Sequence, residues 1–135
     1  MSAIRFSQID HCSVLITNLA RARWFYRDVL GLPEISKPKT FDFVALWFAL
    51  PEGQTLHLLQ KPVPDTRSPR HFALRVSDAR QAREHFRSHG VEIQETGPIP
   101  HCDRFFVNDP DGNRIELIQW LETYDPTKSG AEGLD

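Results

Sequence analysis

Cysteine is scarce in this chain: Cys12 and Cys102 are the only two. Two thiols are too few for a disulfide framework, and a reduced, cytoplasmic setting is the simplest expectation. Long hydrophobic runs are missing as well. No stretch approaches the roughly 18 apolar residues of a membrane span, and the N-terminus lacks a signal-peptide pattern, so no membrane partner is expected. Nor does either charge dominate. Lys plus Arg number 16 against 18 for Asp plus Glu, a near balance that gives no electrostatic reason to expect a nucleic-acid partner. GxSxG, P-loop and dinucleotide-binding signatures are absent, which removes the hydrolase and nucleotide readings that rest on them. What remains is a chain of 135 residues with 40% hydrophobic content. That suffices for one compact domain, 1–135, with a proper core.

The sequence repeats itself faintly. At an offset of 60, "HCSVLITNLARARWFYRDV" from His11 lies over "HFALRVSDARQAREHFRSH" from His71, with His11 on His71, Ala22 on Ala82, Arg23 on Arg83 and Arg27 on Arg87. Conservative matches fall between them, among them Ile16 with Val76, Asn18 with Asp78 and Tyr26 with Phe86. Each copy reads as a strand, a capping pair (Thr17 or Asn18; Ser77 or Asp78) and a helix. Leu19, Ala22, Tyr26 and Val29 form the first inner stripe, and Ala79, Ala82 and Phe86 the second. Gly31 and Gly90 suit the helix stops. At the glycines the offset falls to 59, an expected one-residue difference in the turn.

Strand candidates follow each helix, at about 33–36, 42–50 and 55–60, then at about 91–96, 103–108 and 113–119, bounds good to about 2–4 residues. "NDPDGN" at 108–113 is a turn by its Pro, Asp and Gly content, and the Pro-rich 61–70 joins the copies. The fold class expected is α+β: two βαβββ modules, about 6–60 and 70–120, forming a curved mixed sheet with helices on the outer face. Residues 121–135 read as a loose tail.

"NRIELIQW", residues 113–120, sets Glu116 among Ile115, Leu117 and Ile118. Buried and unpaired, such a carboxylate costs several kcal/mol, so it faces solvent or has a strong partner. At the offset of 59, "TLHLLQ" lies over "RIELIQ" and His57 takes the place of Glu116. Alternation across each strand separates two faces. One carries His11, Ser13 and Leu15; His57 and Leu59; His71, Ala73 and Arg75; Glu116, Ile118 and Trp120. The opposite face, with Val14, Ile16, Leu56, Leu58, Phe72, Leu74, Ile115 and Leu117, is apolar and should pack beneath the helices. Three imidazoles and a carboxylate at equivalent places in a two-fold repeat suit a divalent first-row metal, whose charge would also compensate Glu116. The plain alternative for each residue is a hydrogen-bonded or solvated strand position.

Other polar groups read as structural. His85 and His89 stand four apart on the second helix with no evident third ligand. His101 and Cys102 are sequence neighbours whose side chains point apart on a strand. Arg21, Arg23, Arg27, Arg80, Arg83 and Arg87 form solvated or interface helix faces.

With these residues in view, the chain resembles the vicinal oxygen chelate superfamily (glyoxalase, bleomycin-resistance protein and dioxygenase group) over about residues 6–120. "IDHCSVLITNLARARWFYRDVLGL" is similar to its opening strand and helix, "RHFALRV" to the start of its second module, and "NDPDGNRIEL" to its closing hairpin. The resemblance implies sheets that curve into a cup around a metal, with His11, His57, His71 and Glu116 as ligands. It implies one divalent ion per site (Ni, Zn, Co, Fe or Mn) and a homodimer in which each chain supplies a ligand pair to each of two sites. The activity implied first is that of glyoxalase I, a lactoylglutathione lyase-like isomerisation of a hemithioacetal or similar vicinal-oxygen substrate, with a glutathione-derived small molecule as the substrate type. Glu116 and His57 are then the candidate catalytic residues, and Arg67, Arg75 and Trp120 the candidate substrate contacts. Two departures stand out: His57 where glyoxalase I has a second glutamate, and Leu15 where many members have a thiol-substrate arginine. The alternatives implied are an extradiol-type Fe(II) dioxygenase on His11, His71 and Glu116, a fosfomycin-type thiol transferase, and a non-catalytic drug-binding resistance protein.

Overall fold

In the computed structural model, residues 3–40 and 42–127 are described. The element order is β1 (His11–Ile16), α1 (Leu19–Arg23) with a π-helical continuation (Trp24–Val29), β2 (Glu34–Ile35), β3 (Ala45–Ala49) and β4 (Thr55–Gln60). Then follow β5 (His71–Arg75), α2 (Ala79–Ser88), β6 (Gln94–Glu95), β7 (Cys102–Asn108) and β8 (Arg114–Trp120). The α+β class and the βαβββ modules are as expected, and hydrogen bonding groups the strands into two four-stranded mixed sheets, ordered β1-β4-β3-β2 and β5-β8-β7-β6. In both, the strand before the helix pairs parallel with the last strand of its module, and the remaining pairs are antiparallel. The described part of the expected tail, 121–127, holds no helix or strand, and 128–135 lie outside the described residues. No described helix is long and apolar enough to cross a membrane.

Two compact units can be distinguished. The first contains the chain up to Arg70 together with the turn Asp109–Asn113; the second contains His71–Asn108 and the chain from Arg114. The capping ambiguity resolves the same way in both. Asn18 accepts the Arg21 N–H at 2.9 Å, and Asp78 accepts the Gln81 N–H at 3.0 Å, each satisfying a donor that the helix leaves free. Gly31 and Gly90 follow with φ of 74° and 72°, the left-handed backbone that a glycine stop supplies without strain.

The extra residue of the first copy was expected in the turn, but it lies inside the helix. Leu30 N–H reaches back five residues to Phe25 O at 2.8 Å, and the wider π turn absorbs the insertion while both ends keep their geometry. It also changes the buried stripe, which is Ala22, Phe25, Tyr26 and Val29, with Leu19 only half-buried.

The helix-facing side of each sheet is the apolar one, as the alternation requires. In the first unit Ile16, Phe48, Leu56 and Leu58 are fully buried, and Tyr26 meets Phe48 with ring centroids 6.0 Å apart. In the second, Phe105, Val107, Ile115 and Leu117 are buried together with Ala79 and Phe86 of α2. Burying each large side chain contributes about 1.5–3 kcal/mol. Of the arginines shared by the two helices, Arg27 and Arg87 are exposed as expected, whereas Arg23 and Arg83 are not simple solvated residues. Arg23 grips Glu34 of β2 at 3.0 Å, and its counterpart Arg83 grips Glu95 of β6 and Asp103 of β7 at 2.9 and 2.7 Å. In each module this clasp ties the helix to the shortest strand.

The turn Asp109–Asn113 is fastened by polar contacts within the first unit. Asp109 is buried and accepts from Tyr26 Oη at 2.6 Å, Asn113 Nδ2 at 2.7 Å, and the backbone N–H groups of Asp111 and Asn113. Asn113 Nδ2 also donates to Leu15 O, and Asp111 accepts from the hydroxyl and N–H of Thr17. Burial raises the Asp109 carboxyl above its ordinary value, and the donation from Tyr26 opposes that rise. A raised folded-state value means that the protonated form is favoured by folding: this contribution is complete at acid pH and is lost as pH rises through the folded value. Tyr26→Phe removes the donor that eases the charged form and should destabilise the fold by about 1–3 kcal/mol near neutrality. The loss should shrink at acid pH, as pH falls through the raised Asp109 value and the carboxyl takes up its proton in the fold. Denaturant unfolding of parent and variant at the two pH values checks this, and an equal loss at both would contradict it.

Candidate functional site

In the first unit His57 stands on β4 with Ser13 of β1 and Trp47 of β3 directly opposite. Its ring is sandwiched. Trp47 stacks on it at 3.7 Å between centroids, with planes 7° apart, and His11 stacks at 4.2 Å. Nε2 of His57 lies 2.8 Å from the Thr55 hydroxyl, and the residue is only 8% exposed. Burial, and then the neighbouring His11, push its pKa below the usual imidazole value, because both penalise a second positive charge in the stack. The neutral ring that results keeps a lone pair, which is the form a metal ligand needs. His11 itself is exposed, with Nδ1 2.8 Å from Asp10.

In the second unit β5, β8 and β7 bring three rows of side chains onto one face. His71, Arg114 and Asn108 form one row; Ala73, Glu116 and Phe106 the next; Arg75, Ile118 and Arg104 the third. Glu116 is 7% exposed, so it is not a solvated strand residue. His71 Nε2 donates to its Oε1 at 3.0 Å, and Arg104 Nη1 donates to its Oε2 at 3.3 Å. A buried carboxylate is tolerable with such partners and costly without them. Phe106 sits in the middle of this group, edge-on to His71 at 5.0 Å and under the Arg114 guanidinium at 3.5 Å.

The sequence-derived set is therefore assembled in two pairs, His11 with His57 and His71 with Glu116. Among the described residues no group of three or more His, Cys, Asp or Glu side chains is placed to hold a metal ion. In kind the donors fit a divalent metal: each pair offers imidazole nitrogen, and the second offers an imidazole nitrogen and a carboxylate oxygen already turned toward each other. Of the expected substrate contacts, Arg75 is exposed at the end of β5 and shares the His71 face. Trp120 ends β8 on the Glu116 face, its ring 5.5 Å from that of Tyr124. Arg67, in the linking stretch, lies against Gly112, where an added Cβ would come within 3.1 Å of its guanidinium. His85 and His89 are exposed helix-end residues, as expected, and His101 pairs with Glu122 at 3.1 Å.

Sequence reasoning missed Trp47, Thr55, Phe106, Arg114 and above all Arg104. The signal for Arg104 was present: once "NDPDGN" is taken as the hairpin turn, counting back along β7 places Arg104 and Phe106 on the face of Glu116. The stacking partner of His57 had no such signal, because the β3–β4 register depends on the turn at Pro51–Gly53.

Comparison with known proteins agrees with this architecture. A family model described as Glyoxalase/Bleomycin resistance protein/Dioxygenase superfamily matches residues 8–117. The chain is 25% identical over 126 residues to Glyoxylase I 4 of Arabidopsis thaliana, covering 84% of this chain and 71% of that protein. It is 28% identical over 121 residues to a lactoylglutathione lyase of Neisseria meningitidis serogroup A, covering 81% and 88% respectively. A solved structure from Bacillus anthracis, assigned to the glyoxalase family, superposes with a TM-score of 0.80 at 27% identity, covering 88% of this chain and 99% of the other. The chain belongs to the glyoxalase/bleomycin resistance protein/dioxygenase superfamily, the vicinal oxygen chelate proteins.

Proposed function

We propose that this protein is a divalent-metal-dependent enzyme of glyoxalase I type, acting as one domain and isomerising a hemithioacetal or a similar vicinal-oxygen substrate. His11, His57, His71 and Glu116 are the ligands in this reading. The observation that carries it is the buried His71–Glu116 pair, matched at the same place in the other module by His57, buried and stacked on His11. The relatives named as glyoxalase I and lactoylglutathione lyase support the choice of reaction. Bound there, a divalent metal supplies Lewis-acid polarisation of two neighbouring substrate oxygens. The chain's own part is the proton. In this reading Glu116, with one oxygen held by Arg104 and the other facing His71, takes a proton from the substrate carbon and returns it to the neighbouring one. Phe106 lies edge-on to His71 and Trp47 stacks on His57, so in this reading an aromatic ring shields each ligand pair from water.

Leu15, Leu59, Ile118 and Trp120 lie on these same inner faces and are only half-buried. A second copy of the chain covers them in this proposal, giving a cytoplasmic homodimer with two sites in which each chain supplies one ligand pair to each site.

Titration of the metal-free protein with Zn, Co or Ni tests the ligand set. Glu116→Gln keeps the volume and removes the charge; it should lower metal affinity by at least about tenfold and abolish hemithioacetal turnover at saturating metal. His57→Ala should weaken binding by a similar factor, with His57→Glu restoring it. Unchanged affinity in the Gln and Ala variants would sink the ligand assignment. For the assembly, light scattering at micromolar concentration should give the mass of two chains, and a monomer that still binds metal would rule out the shared arrangement.

A further inference from the structure

The inner face of the second unit carries more positive charge than its one carboxylate requires. Arg75, Arg104 and Arg114 share the face of Glu116, in register rows with Ile118 and His71. Arg104 neutralises Glu116; among the described residues Arg75 and Arg114 have no ion-pair partner. Three guanidiniums against one carboxylate leave a net positive face around the His71–Glu116 pair.

The fold does not need this charge, and the molecule contains its own control. In the first unit the positions equivalent to Arg75, Arg104 and Arg114 are Leu15, Ala45 and Thr55, each holding the same register against His11, Leu59 and their neighbours. The same sheet is built there with no arginine on that face.

Arg104 is also incompletely satisfied. Its side chain is 18% exposed; Nη1 serves Glu116 and Nη2 donates to Gly97 O at 3.0 Å. Its Nε is buried without any hydrogen-bond partner. A buried charged donor left unpaired is costly and is seldom retained without a use. Arg114 spends the flat face of its guanidinium on Phe106, which fixes its plane and leaves its N–H donors at the edge for another group.

We infer that Arg75, Arg104 and Arg114 form an oxyanion-binding subsite, so that the substrate carries a carboxylate or a phosphoryl-type anion beside its reacting oxygens. This rests on the reading of the His71–Glu116 face as the substrate face. Guanidinium forks match the paired oxygens of such groups and bind them bidentately. The specificity it imposes is for anionic over neutral substrates, with Arg114 and Arg75 as the anchoring residues and Arg104 bridging the anchor to Glu116.

Calorimetric titration of the full-length, metal-free protein with methylphosphonate, lactate and neutral acetamide tests the subsite. At least one of the two anions should bind saturably at one per chain, and whichever binds more tightly names the class; acetamide should not bind. Arg114→Gln and Arg75→Gln should each weaken the anion by about tenfold or more. Arg104→Lys keeps the charge beside Glu116 and loses the fork, and should also weaken it. Arg27→Gln, which removes an exposed charge elsewhere, should leave binding unchanged. Absence of saturable binding by either anion, equal binding of acetamide, or parental affinity in the Arg114 and Arg104 variants would overturn the inference. Zinc titration of the same samples separates it from the reading it rests on. Zinc binding without anion binding removes the subsite alone, and anion binding without zinc binding removes the metal site alone.

Discussion

Water would solvate a carboxylate far better than the middle of a four-stranded sheet does, and Glu116 is nevertheless buried there. Much of the second unit's inner face follows from the need to compensate that one charge. His71 is brought opposite one carboxylate oxygen by the parallel pairing of β5 with β8. Arg104 is brought to the other by the antiparallel pairing of β8 with β7. Neither strand alone would place a partner; the glutamate is affordable only after both ladders close. An N–H donor meets each of its two oxygens, which is also how a site prepares for a substrate on which negative charge develops.

The first unit answers the same problem differently. At the equivalent place on β4 stands an imidazole instead of a carboxylate, and its compensation is stacking and neutrality rather than ion pairing. Trp47 and His11 sandwich His57, Thr55 meets Nε2, and the ring is pushed toward its uncharged form. One register thus supports two chemistries, and the difference lies in what the neighbouring strand supplies: Trp47 beside His57, Phe106 beside Glu116. The asymmetry extends outward, to arginines on one face and to Leu15, Ala45 and Thr55 on the other.

Much of this was legible in the chain because the informative features are local. Alternation with a period of two assigned the faces of β1, β4, β5 and β8 correctly, since one buried face forces apolar residues at every second position. Asn18 and Asp78 declared the helix starts, and Gly31 and Gly90 the stops. Features that depend on pairing between distant segments were not legible. Phe25 joins the core only because the helix widens to a π turn, which no side-chain period announces. The hold of Tyr26 on Asp109 spans 83 positions of sequence. Arg23 and Arg83 look like ordinary solvated helix residues until β2 and β6 bring Glu34 and Glu95 to them. At the candidate site the four polar residues were found from repeat equivalence, whereas Arg104, which holds Glu116, needed the hairpin register.

In the proposed function the two polar pairs, His11 with His57 and His71 with Glu116, serve as ligands to a divalent ion. A crystal grown from protein loaded with cobalt and measured across the cobalt absorption edge tests it most directly. The expected result is an anomalous peak with imidazole nitrogens of His11, His57 and His71 and an oxygen of Glu116 at coordination distance, about 2.0–2.2 Å for ligands of these kinds. A peak elsewhere, or no peak and an unchanged His71–Glu116 hydrogen bond, would contradict it.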